Sequence, residues 1–425
     1  MDLKIHTCLA KLIMQNNNNM TDTISSTYCV LPWTHLYTGP DGVISPCCVG
    51  KELGKYQETT LKETWNTAKM KQLRLDMLSG VRNDVCSACY EHEDSGFKSM
   101  RQAFINDMTD VTENVRAMTN DDGSLSDFKL YYLDLRFNNL CNFKCRSCGP
   151  KFSSSIAVEL IKNPNLNIKN SPVVGGFNQN QGLISEIEKH YPYIKSIYFA
   201  GGEPMMQEEH WDILQHFTET DTAKNVSLIY STNTSKISYK NNSVFDYWKH
   251  FKAVHVQMSI DAEGKRAEYW RDGTDWETVY NNIKLISSSG AYYTVHSVIS
   301  WMNIYSYIEL VKKLLEEKIV PADKFTIWCM ADTKTIEFSL HILPEFKKEE
   351  ISLVLDSFIL YLQESSHSKI EHIIKNIENI KTFMFAKSIP ITSETFRKNN
   401  MLDTIRNKDF FEYFTEHENM REYIK

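Results

Sequence analysis

Three cysteines lie close together in the segment CNFKCRSC, which contains Cys141, Cys145 and Cys148. Cysteine thiolates bind zinc and iron–sulfur clusters, and paired thiols also form disulfides. A closed structural zinc site needs four ligands, and no histidine lies near these cysteines. A four-iron cubane held by three thiolates leaves one iron open to a substrate or cofactor. Three ligands therefore suit a catalytic cluster better than a closed zinc site.

A second group of cysteines lies near the amino terminus. The chain has ten cysteines, and five of them are Cys29, Cys47, Cys48, Cys86 and Cys89. The segment YTGPDGVISP, residues 37–46, predicts a β-hairpin that turns at Asp41-Gly42 and brings the flanking thiols together. Four thiolates close either a cubane or a structural zinc site, and either Cys47 or Cys48 is available as one of them.

The composition disfavours several broad classes of protein. Of the 425 residues, 42% are hydrophobic and 24% are charged, which suits a soluble protein of two or three domains. A formal net charge of -7 gives no general reason to expect a nucleic-acid or membrane partner. Residues 1–24, which include Cys8, show no cleavage site or long apolar segment, so we expect a flexible leader on a cytoplasmic protein. Thiols stay reduced in that compartment, which disfavours disulfides.

Six short apolar runs alternate with helical patterns, as is typical of parallel β/α units. The predicted strands are residues 130–137, 194–200, 226–232, 253–260, 293–300 and 325–330. Parallel sheets of this kind carry their chemistry at the carboxyl ends of the strands. Cys141 follows the first strand, and the segment GGEP at 201–204 follows the second. We therefore expect both segments at the same end of an α/β sheet.

These two motifs together resemble the radical S-adenosylmethionine (SAM) family. Its hallmark is C-x3-C-x2-C after the first strand of a partial (β/α)6 TIM-like barrel, and Cys141, Cys145 and Cys148 match that spacing. The resemblance implies a [4Fe-4S] cluster on these cysteines. It also implies that the glycine-rich segment binds the amine of SAM, with the residues Gly201, Gly202, Glu203 and Pro204. Glycines let the backbone approach a ligand closely, and Glu203 offers an acceptor for an ammonium group.

The same resemblance implies further SAM contacts at later strand ends. The implied residues are Ser231, Asn233, Ser259, Asp261, Arg271 and Asn303. Arg271 would lie near the SAM carboxylate and Asn303 near the adenine. For each of these, a loop residue that caps a helix or closes a turn is an equally good interpretation. Arg146 departs from the family pattern, which has an aromatic residue before the third cysteine, although a guanidinium also stacks on a base.

The amino-terminal cysteines resemble the first half of an auxiliary-cluster domain called SPASM, or its shortened twitch form. The resemblance implies a second [4Fe-4S] cluster on Cys29, Cys47, Cys86 and Cys89, with Cys48 as the alternative to Cys47. Relatives usually carry this domain after the barrel, whereas here it precedes the barrel. We predict a leader at 1–24, the auxiliary domain at 25–110, the barrel at 128–332 and a helical cap or recognition region at 333–425.

The resemblance implies an enzyme that cleaves SAM reductively and abstracts hydrogen from a substrate with the resulting 5′-deoxyadenosyl radical. A peptide or protein is the favoured substrate, and an electron donor such as flavodoxin or ferredoxin is the implied partner. A sugar or nucleotide metabolite is the alternative substrate, and a zinc-stabilised binding protein without turnover is the alternative outside enzymes. Cys329 is interpreted as a buried side chain or, more weakly, as a hydrogen donor. His35 and His296 are interpreted as structural.

Overall fold

A computed structural model describes residues 26–55, 60–94, 99–112, 114–166, 181–330 and 336–424 of the chain. The leader at 1–24, with Cys8, therefore lies outside the described residues. The α-helices are α1 (Leu31–Thr34), α2 (Leu61–Trp65), α3 (Ala68–Leu78), α4 (Ser87–Asp94), α5 (Met100–Asp107), α6 (Thr109–Thr112), α7 (Val115–Met118), α8 (Ser154–Lys162), α9 (Gln181–Glu188), α10 (Glu208–Glu219), α11 (Val244–Trp248), α12 (Gly264–Trp270), α13 (Trp276–Ser288), α14 (Ile304–Glu316), α15 (Glu345–Glu364), α16 (Glu371–Phe385), α17 (Arg397–Arg406), α18 (Phe410–Tyr413) and α19 (Arg421–Ile424).

The strands form one large sheet and three small ones. They are β1 (Tyr37–Thr38), β2 (Val43–Ser45), β3 (Gly54–Lys55), β4 (Tyr132–Leu135), β5 (Lys144–Cys145), β6 (Ser196–Phe199), β7 (Ser227–Thr232), β8 (Ser238–Tyr239), β9 (Asn242–Ser243), β10 (Ala253–Ser259), β11 (Arg271–Asp272), β12 (Tyr292–Ile299) and β13 (Phe325–Cys329). The small sheets are β1-β2-β3, β5-β11 and β8-β9.

The large sheet has the six strands that the sequence predicts. Its order is β13-β12-β10-β7-β6-β4, so each strand neighbours the next one of the set along the chain. The pairings are parallel, for example Leu133 with Ile197 and Val295 with Phe325. Sequential parallel strands need a crossover between them, and helices α10, α13 and α14 lie in three of these connections. The prediction of a mixed α/β fold built on a six-stranded parallel sheet is confirmed, while closure into a partial barrel stays a prediction.

The chain divides into two compact units. The described residues of the first unit fall within 1–139, 174–230 and 246–255, and those of the second fall within 140–173, 231–245 and 256–425. The predicted four-segment division of the chain stays a prediction. Among the described residues, none of the helices combines the length and the apolar character needed to cross a membrane.

The predicted amino-terminal hairpin is present in the first unit. Strands β1 and β2 pair antiparallel, with Tyr37 opposite Ser45. Gly42 at the turn has φ of 74°, a left-handed conformation that glycine adopts without a steric penalty. The hairpin ends next to Cys47, which is buried.

Arg74 forms a buried polar centre in the same unit, where its side chain is completely inaccessible to solvent. Its Nε donates to the carbonyl of Pro32 at 2.9 Å, and Nη2 donates to the carbonyl of Trp65 at 2.9 Å. Its Nη1 donates to the carbonyl of Gly123 at 3.0 Å and to the Asn66 side-chain oxygen at 3.2 Å. Arg74 therefore links four separate segments of the chain.

The carboxyl-terminal helices belong to the second unit. Helix α16 covers the edge strand β13, where His372 and Asn376 both lie within hydrogen-bonding distance of the Phe325 carbonyl, at 2.9 and 3.2 Å. Covering an edge strand with a helix blocks pairing with another chain. Helix α17 contacts a different part of the unit, the loop that carries the three clustered cysteines.

Candidate active site

The loop with Cys141, Cys145 and Cys148 is fixed by the start of helix α8. Ser155 Oγ donates to the Cys141 carbonyl at 2.7 Å, and the Cys141 N–H donates to Ser154 Oγ at 3.2 Å. The Cys148 N–H donates to the Cys145 carbonyl at 3.1 Å, which closes a turn inside the motif. The backbone of the cysteine loop is thus tied both to itself and to a helix.

An antiparallel pairing aligns the middle of this loop with Arg271. Strands β5 and β11 place Cys145 opposite Arg271 and Lys144 opposite Asp272. Arg271 Nη1 lies 3.8 Å from Cys145 Sγ, and its Nε donates to Asp261 Oδ2 at 2.7 Å. A buried guanidinium beside a sulfur stabilises its thiolate form. The chain therefore holds a positive charge at one of the three predicted ligands.

The Cys141 thiol also faces a donor. The Nδ2 of Asn233 lies 3.8 Å from Cys141 Sγ and 3.0 Å from Asn142 Oδ1. Asn142 in turn donates to Ser235 Oγ at 3.0 Å. These contacts join the cysteine loop to the segment that follows strand β7. The sequence did not single out Asn142, although its place between two of the clustered cysteines was the available signal.

Several predicted SAM contacts line one cavity of the second unit. Asn233, Ser259, Asp261 and Arg271 share it with the apolar side chains of Phe143 and Trp270. Asp261 is buried and accepts hydrogen bonds from Arg271, from Trp270 Nε1 at 2.9 Å and from the Val298 N–H at 2.7 Å. Ser231 lies in strand β7, two residues before Asn233, and its Oγ donates to Gln257 Oε1 at 2.9 Å.

The Asn303 side chain closes a turn, which is one of the two interpretations that the sequence allows. Its Oδ1 accepts from the Ser300 N–H at 2.8 Å, and its Nδ2 donates to the Val298 carbonyl at 2.8 Å. The residue is fully buried and directly precedes helix α14. Both ends of the amide therefore close the turn after β12, and the contact with adenine stays a prediction.

The buried environment raises the pKa of two of the thiols in the loop, those of Cys145 and Cys148. Burial raises the pKa of Cys145 to about 12, and the nearby Arg271 opposes that rise. Burial also raises the pKa of Cys148, while a hydrogen bond with the Gly149 backbone and the charge of Arg271 lower it. The metal-free thiols of Cys145 and Cys148 are therefore protonated at neutral pH. Metal binding must displace their protons, as for other thiolate ligands.

The glycine-rich segment lies in the first unit. Gly201 and Gly202 have φ of 78° and 57°, so both adopt left-handed backbone. A Cβ on Gly201 would lie 3.0 Å from the Cβ of Arg136, which leaves little room for any larger residue. Glu203 is fully buried, and Pro204 begins a short 3-10 helix. Glycine is thus required here for both conformation and space.

The amino-terminal cysteines converge on a cavity of the first unit. Its lining includes Cys29, Cys47, Cys86, Cys89 and Arg101. Burial raises the pKa of Cys86 to about 12, and the neighbouring Cys47 and Cys89 raise it further. Arg101 also donates to Glu93 through Nε at 3.0 Å.

Cys48 lies in a different environment from Cys47. Burial raises the pKa of Cys48 to about 12, with further contributions from Asp134, which raises it, and Arg136, which lowers it. Arg136 and Asp134 form an ion pair at 2.9 Å. Of the two adjacent thiols, only Cys47 lines the cavity that contains the other three cysteines.

The remaining single residues show no such grouping. His35 Nδ1 lies 2.9 Å from the Tyr132 carbonyl, and burial lowers the pKa of His35 to about 4. His296 Nδ1 lies 3.0 Å from Thr326 Oγ1, and burial lowers its pKa. Burial raises the pKa of Cys329 to about 12. The contacts of the two histidines suit structural side chains, and the role of Cys329 as a buried side chain or a hydrogen donor stays a prediction.

No three His, Cys, Asp or Glu side chains of the described segments come close enough to hold a single metal ion. A cubane is wider than one ion, so its thiolates stand farther apart than the ligands of a zinc ion do. The four amino-terminal thiols share a cavity, and Asn233 and Arg271 face Cys141 and Cys145. Whether each cysteine group binds a cluster or a zinc ion stays a prediction.

Residues 29–90 match the family model SPASM, described as an iron-sulfur cluster-binding domain. This match contains Cys29, Cys47, Cys86 and Cys89. The search of curated proteins found no match.

Among solved structures, the chain is similar to His6-tagged anSMEcpe with bound AdoMet, at 16% identity and a TM-score of 0.37, over 61% of this chain and 65% of that one. It thus spans less than two thirds of the length of that protein. It is also similar to Streptococcus suis SuiB bound to precursor peptide SuiA, at 13% identity and a TM-score of 0.34, over 80% of this chain and 70% of that one. TYW1 with a lysine-pyruvate adduct bound shows 11% identity and a TM-score of 0.27, over 54% of this chain and 71% of that one. Similarities with such low identities and TM-scores do not establish an activity for this chain.

Proposed function

We propose that the chain is a radical SAM enzyme whose first [4Fe-4S] cluster is held by Cys141, Cys145 and Cys148. The observation that carries the proposal is the cavity of Asn233, Ser259, Asp261 and Arg271, which lies in the same compact unit as the three cysteines. Arg271 and Asn233 each reach a cysteine sulfur as well as lining that cavity. This arrangement suits a cofactor that bridges a metal and a polar pocket.

When bound, the cluster supplies the electron that cleaves SAM to methionine and a 5′-deoxyadenosyl radical. The chain's own residues bind and orient the cofactor. Arg271 and Asn233 offer donors to the SAM carboxylate, while Ser231, Ser259 and Asp261 offer polar groups to the rest of the molecule. Trp270 and Phe143 supply the apolar wall that excludes water from a reactive intermediate. Gly201 to Pro204 are assigned to the amine of SAM.

The second cluster is assigned to Cys29, Cys47, Cys86 and Cys89, in the region that matches an iron-sulfur cluster-binding domain. Four thiolates close all four irons of a cubane, so this site would hold no substrate on iron. Arg101 lines the same cavity and brings a positive charge to it. Positive charge near a cluster raises its reduction potential, which suits a site that accepts an electron.

We propose a peptide or protein as the substrate, on the basis of the SPASM-type domain. An external one-electron donor such as flavodoxin or ferredoxin would reduce the first cluster in the cytoplasm. Incubation of the reduced protein with candidate peptides and SAM, followed by mass spectrometry, measures the substrate class. A mass change confined to sugar or nucleotide metabolites would assign the chain to that class instead.

The experiment that tests the enzyme class is anaerobic reconstitution of the full chain. Iron and sulfide are counted, the protein is reduced with dithionite, SAM is added and 5′-deoxyadenosine is measured. We expect about eight irons per chain and formation of the nucleoside. A colourless protein that holds zinc, or a fully loaded protein that leaves SAM intact, would return the chain to the class of binding proteins.

Replacement of Arg271 by glutamine should weaken SAM binding. The variant loses the cation beside Cys145 and the Nε hydrogen bond to Asp261, while Trp270 and Val298 still donate to that carboxylate. Loss of one charge-assisted hydrogen bond corresponds to a dissociation constant raised by about 10- to 100-fold. Calorimetric titration of the reconstituted protein with SAM measures this dissociation constant.

Lys265→Gln is the matched control for that variant, because it makes the same charge change at an exposed position of the neighbouring helix α12. It should bind SAM as the wild-type chain does. Equal affinity in the Arg271→Gln protein would remove Arg271 from the proposed binding site.

A further inference from the structure

Arg146, inside the cysteine motif, contacts the carboxyl-terminal helix α17. Its side chain is completely buried, and its Nη1 donates to Asn399 Oδ1 at 2.6 Å. A second nitrogen, Nη2, donates to Asp403 Oδ1. The guanidinium carbon lies 3.8 Å from the centre of the Tyr269 ring, and Nε donates to the Tyr269 carbonyl at 3.2 Å. The guanidinium thus stacks on the Tyr269 ring and bonds to helix α17, which engages the group that the sequence offers for stacking on a base.

The same contacts reach the backbone that aligns Arg271 with Cys145. Tyr269 Oη donates to Asp403 Oδ1 at 2.9 Å, so helix α17 holds the ring as well as the guanidinium. The Arg146 N–H donates to the Trp270 carbonyl at 3.0 Å. Because Tyr269 and Trp270 directly precede Arg271, helix α17 is linked to both sides of the pairing between β5 and β11.

A separate set of ion pairs also connects the end of helix α17 to the cysteine loop, about one helical turn after Asp403. Arg406 Nη2 lies 2.7 Å from Glu159 Oε2, and Lys144 Nζ lies 3.0 Å from Glu159 Oε1. Lys144 also pairs with Asp272 at 2.9 Å, and Lys408 pairs with Asp272 at 2.9 Å. The side chains of Arg406 and Glu159 are only 3% and 7% exposed, so solvent screens this pair weakly.

Apolar contacts complete the interface between helix α17 and the loop. Leu402 packs in a buried cluster with Ile156 and Leu160 of helix α8. Cys148 packs against the same cluster together with Met401 and Ile405. Helix α17 therefore contacts the cysteine motif through a buried hydrogen-bond network, an ion-pair network and apolar side chains.

We propose that helix α17 is a positioning element of the three-cysteine loop, with Asp403 and Asn399 as positioning residues that act through Arg146. The inference rests on the proposed function only for the identity of the group that the loop binds. Second-layer contacts of this kind set the orientation of metal ligands and the alignment of neighbouring donors. The site would then depend on residues more than 250 positions downstream of the motif, since Arg146 and Asn399 are 253 residues apart.

The test uses Asp403→Asn and Asn399→Leu, with Arg397→Gln as the matched control. Arg397 is on the same helix, is 49% exposed and pairs only locally with Glu394. In the metal-free full-length chain, the rate of iodoacetamide alkylation at each cysteine is measured by peptide mass spectrometry. We expect alkylation of Cys145 and Cys148 to accelerate about tenfold in both variants, because a charge-assisted bond that opposes local opening is lost.

The control should leave those rates unchanged, and Cys29, which is in the other compact unit, should react at the wild-type rate in every protein. The reconstituted variants should also show a smaller SAM-induced change in the electron paramagnetic resonance spectrum of the reduced cluster. Arg146→Lys keeps a charge for Asp403 but loses the planar contacts to Asn399 and Tyr269, so its alkylation rate should be intermediate.

Wild-type alkylation rates at Cys145 and Cys148 in Asp403→Asn and Asn399→Leu would overturn the inference. Faster alkylation in a chain whose wild-type form fails to cleave SAM would support the positioning role while rejecting the proposed enzyme class. An equal acceleration at Cys29 would show general unfolding and would overturn the specific role of helix α17.

Discussion

Replacing Cys145 by alanine should abolish 5′-deoxyadenosine formation and lower the iron content from about eight to about four atoms per chain. Cys145 is the middle cysteine of the motif, it is paired with Arg271 across β5 and β11, and its sulfur lies 3.8 Å from the Arg271 guanidinium. Two thiolates cannot hold a cubane firmly, so the whole first cluster should be lost. The measurements are iron and sulfide counts after anaerobic reconstitution, with chromatography of the nucleoside product.

The companion variant Cys86→Ala should separate the two clusters. It removes one of the four thiols that share the amino-terminal cavity, so iron should again fall by about four atoms per chain. The first cluster is held by other residues, and cleavage of SAM should therefore continue. If both variants lose about four irons but only Cys145→Ala loses SAM cleavage, the chain holds two separate clusters. A single metal site shared by both cysteine groups would make the two variants lose cleavage together.

Cys329→Ala is the matched control, because this thiol lies in strand β13 and belongs to neither cysteine group. It should keep its full iron content and its SAM cleavage. Full iron content in the Cys145→Ala protein would contradict the assignment of the first cluster. Loss of cleavage in the Cys329→Ala protein would instead give the strand β13 thiol a role in the reaction.

The central sheet was predictable because its strands are short apolar runs between helical patterns. Each of the six runs overlaps a strand of the parallel sheet, and the ends agree to within two residues. The hairpin around Gly42 was predictable for a similar local reason, since Asp-Gly favours the tight turn that joins β1 to β2. Local composition and spacing were sufficient for both elements.

Residue roles that depend on distant partners were not predictable. Arg146 is read from the sequence as a neighbour of the ligands, but its partners are Asn399 and Asp403, at separations of 253 and 257 residues. Asn303 follows a strand end, as a ligand would, yet its amide is used within five residues to close a turn. No spacing rule separates a strand-end residue that binds a ligand from one that shapes the loop.

The choice between Cys47 and Cys48 also needed three-dimensional information. The two residues are adjacent, and the spacing to Gly42 favours Cys47 only weakly. In the structure, Cys47 lines the cavity with Cys29, Cys86 and Cys89, whereas Cys48 is near Asp134. The two thiols differ in the residues that surround them, and those residues come together only when the chain folds.

Arg74→Met should strongly destabilise the amino-terminal part of the first unit. The guanidinium supplies hydrogen bonds to three backbone carbonyls and to Asn66, and a methionine side chain leaves all of these acceptors without their donor. Burial lowers the pKa of Arg74 to about 9, which shows how completely it is removed from water. Unsatisfied buried acceptors cost enough that the free energy of local opening should fall by about 3–5 kcal/mol.

Hydrogen–deuterium exchange of peptides that cover helices α2 and α3 measures this local free energy without requiring the whole chain to unfold in one step. Arg74→Lys should fall between the wild-type and methionine proteins, because an ammonium group reaches fewer of the four acceptors than the planar guanidinium does. Arg82→Met is the control, since Arg82 forms an exposed ion pair with Asp94. It should leave exchange in helices α2 and α3 unchanged. Wild-type protection in the Arg74→Met protein would mean that water replaces the guanidinium at its acceptors, because buried carbonyls remain stable only with a donor in place.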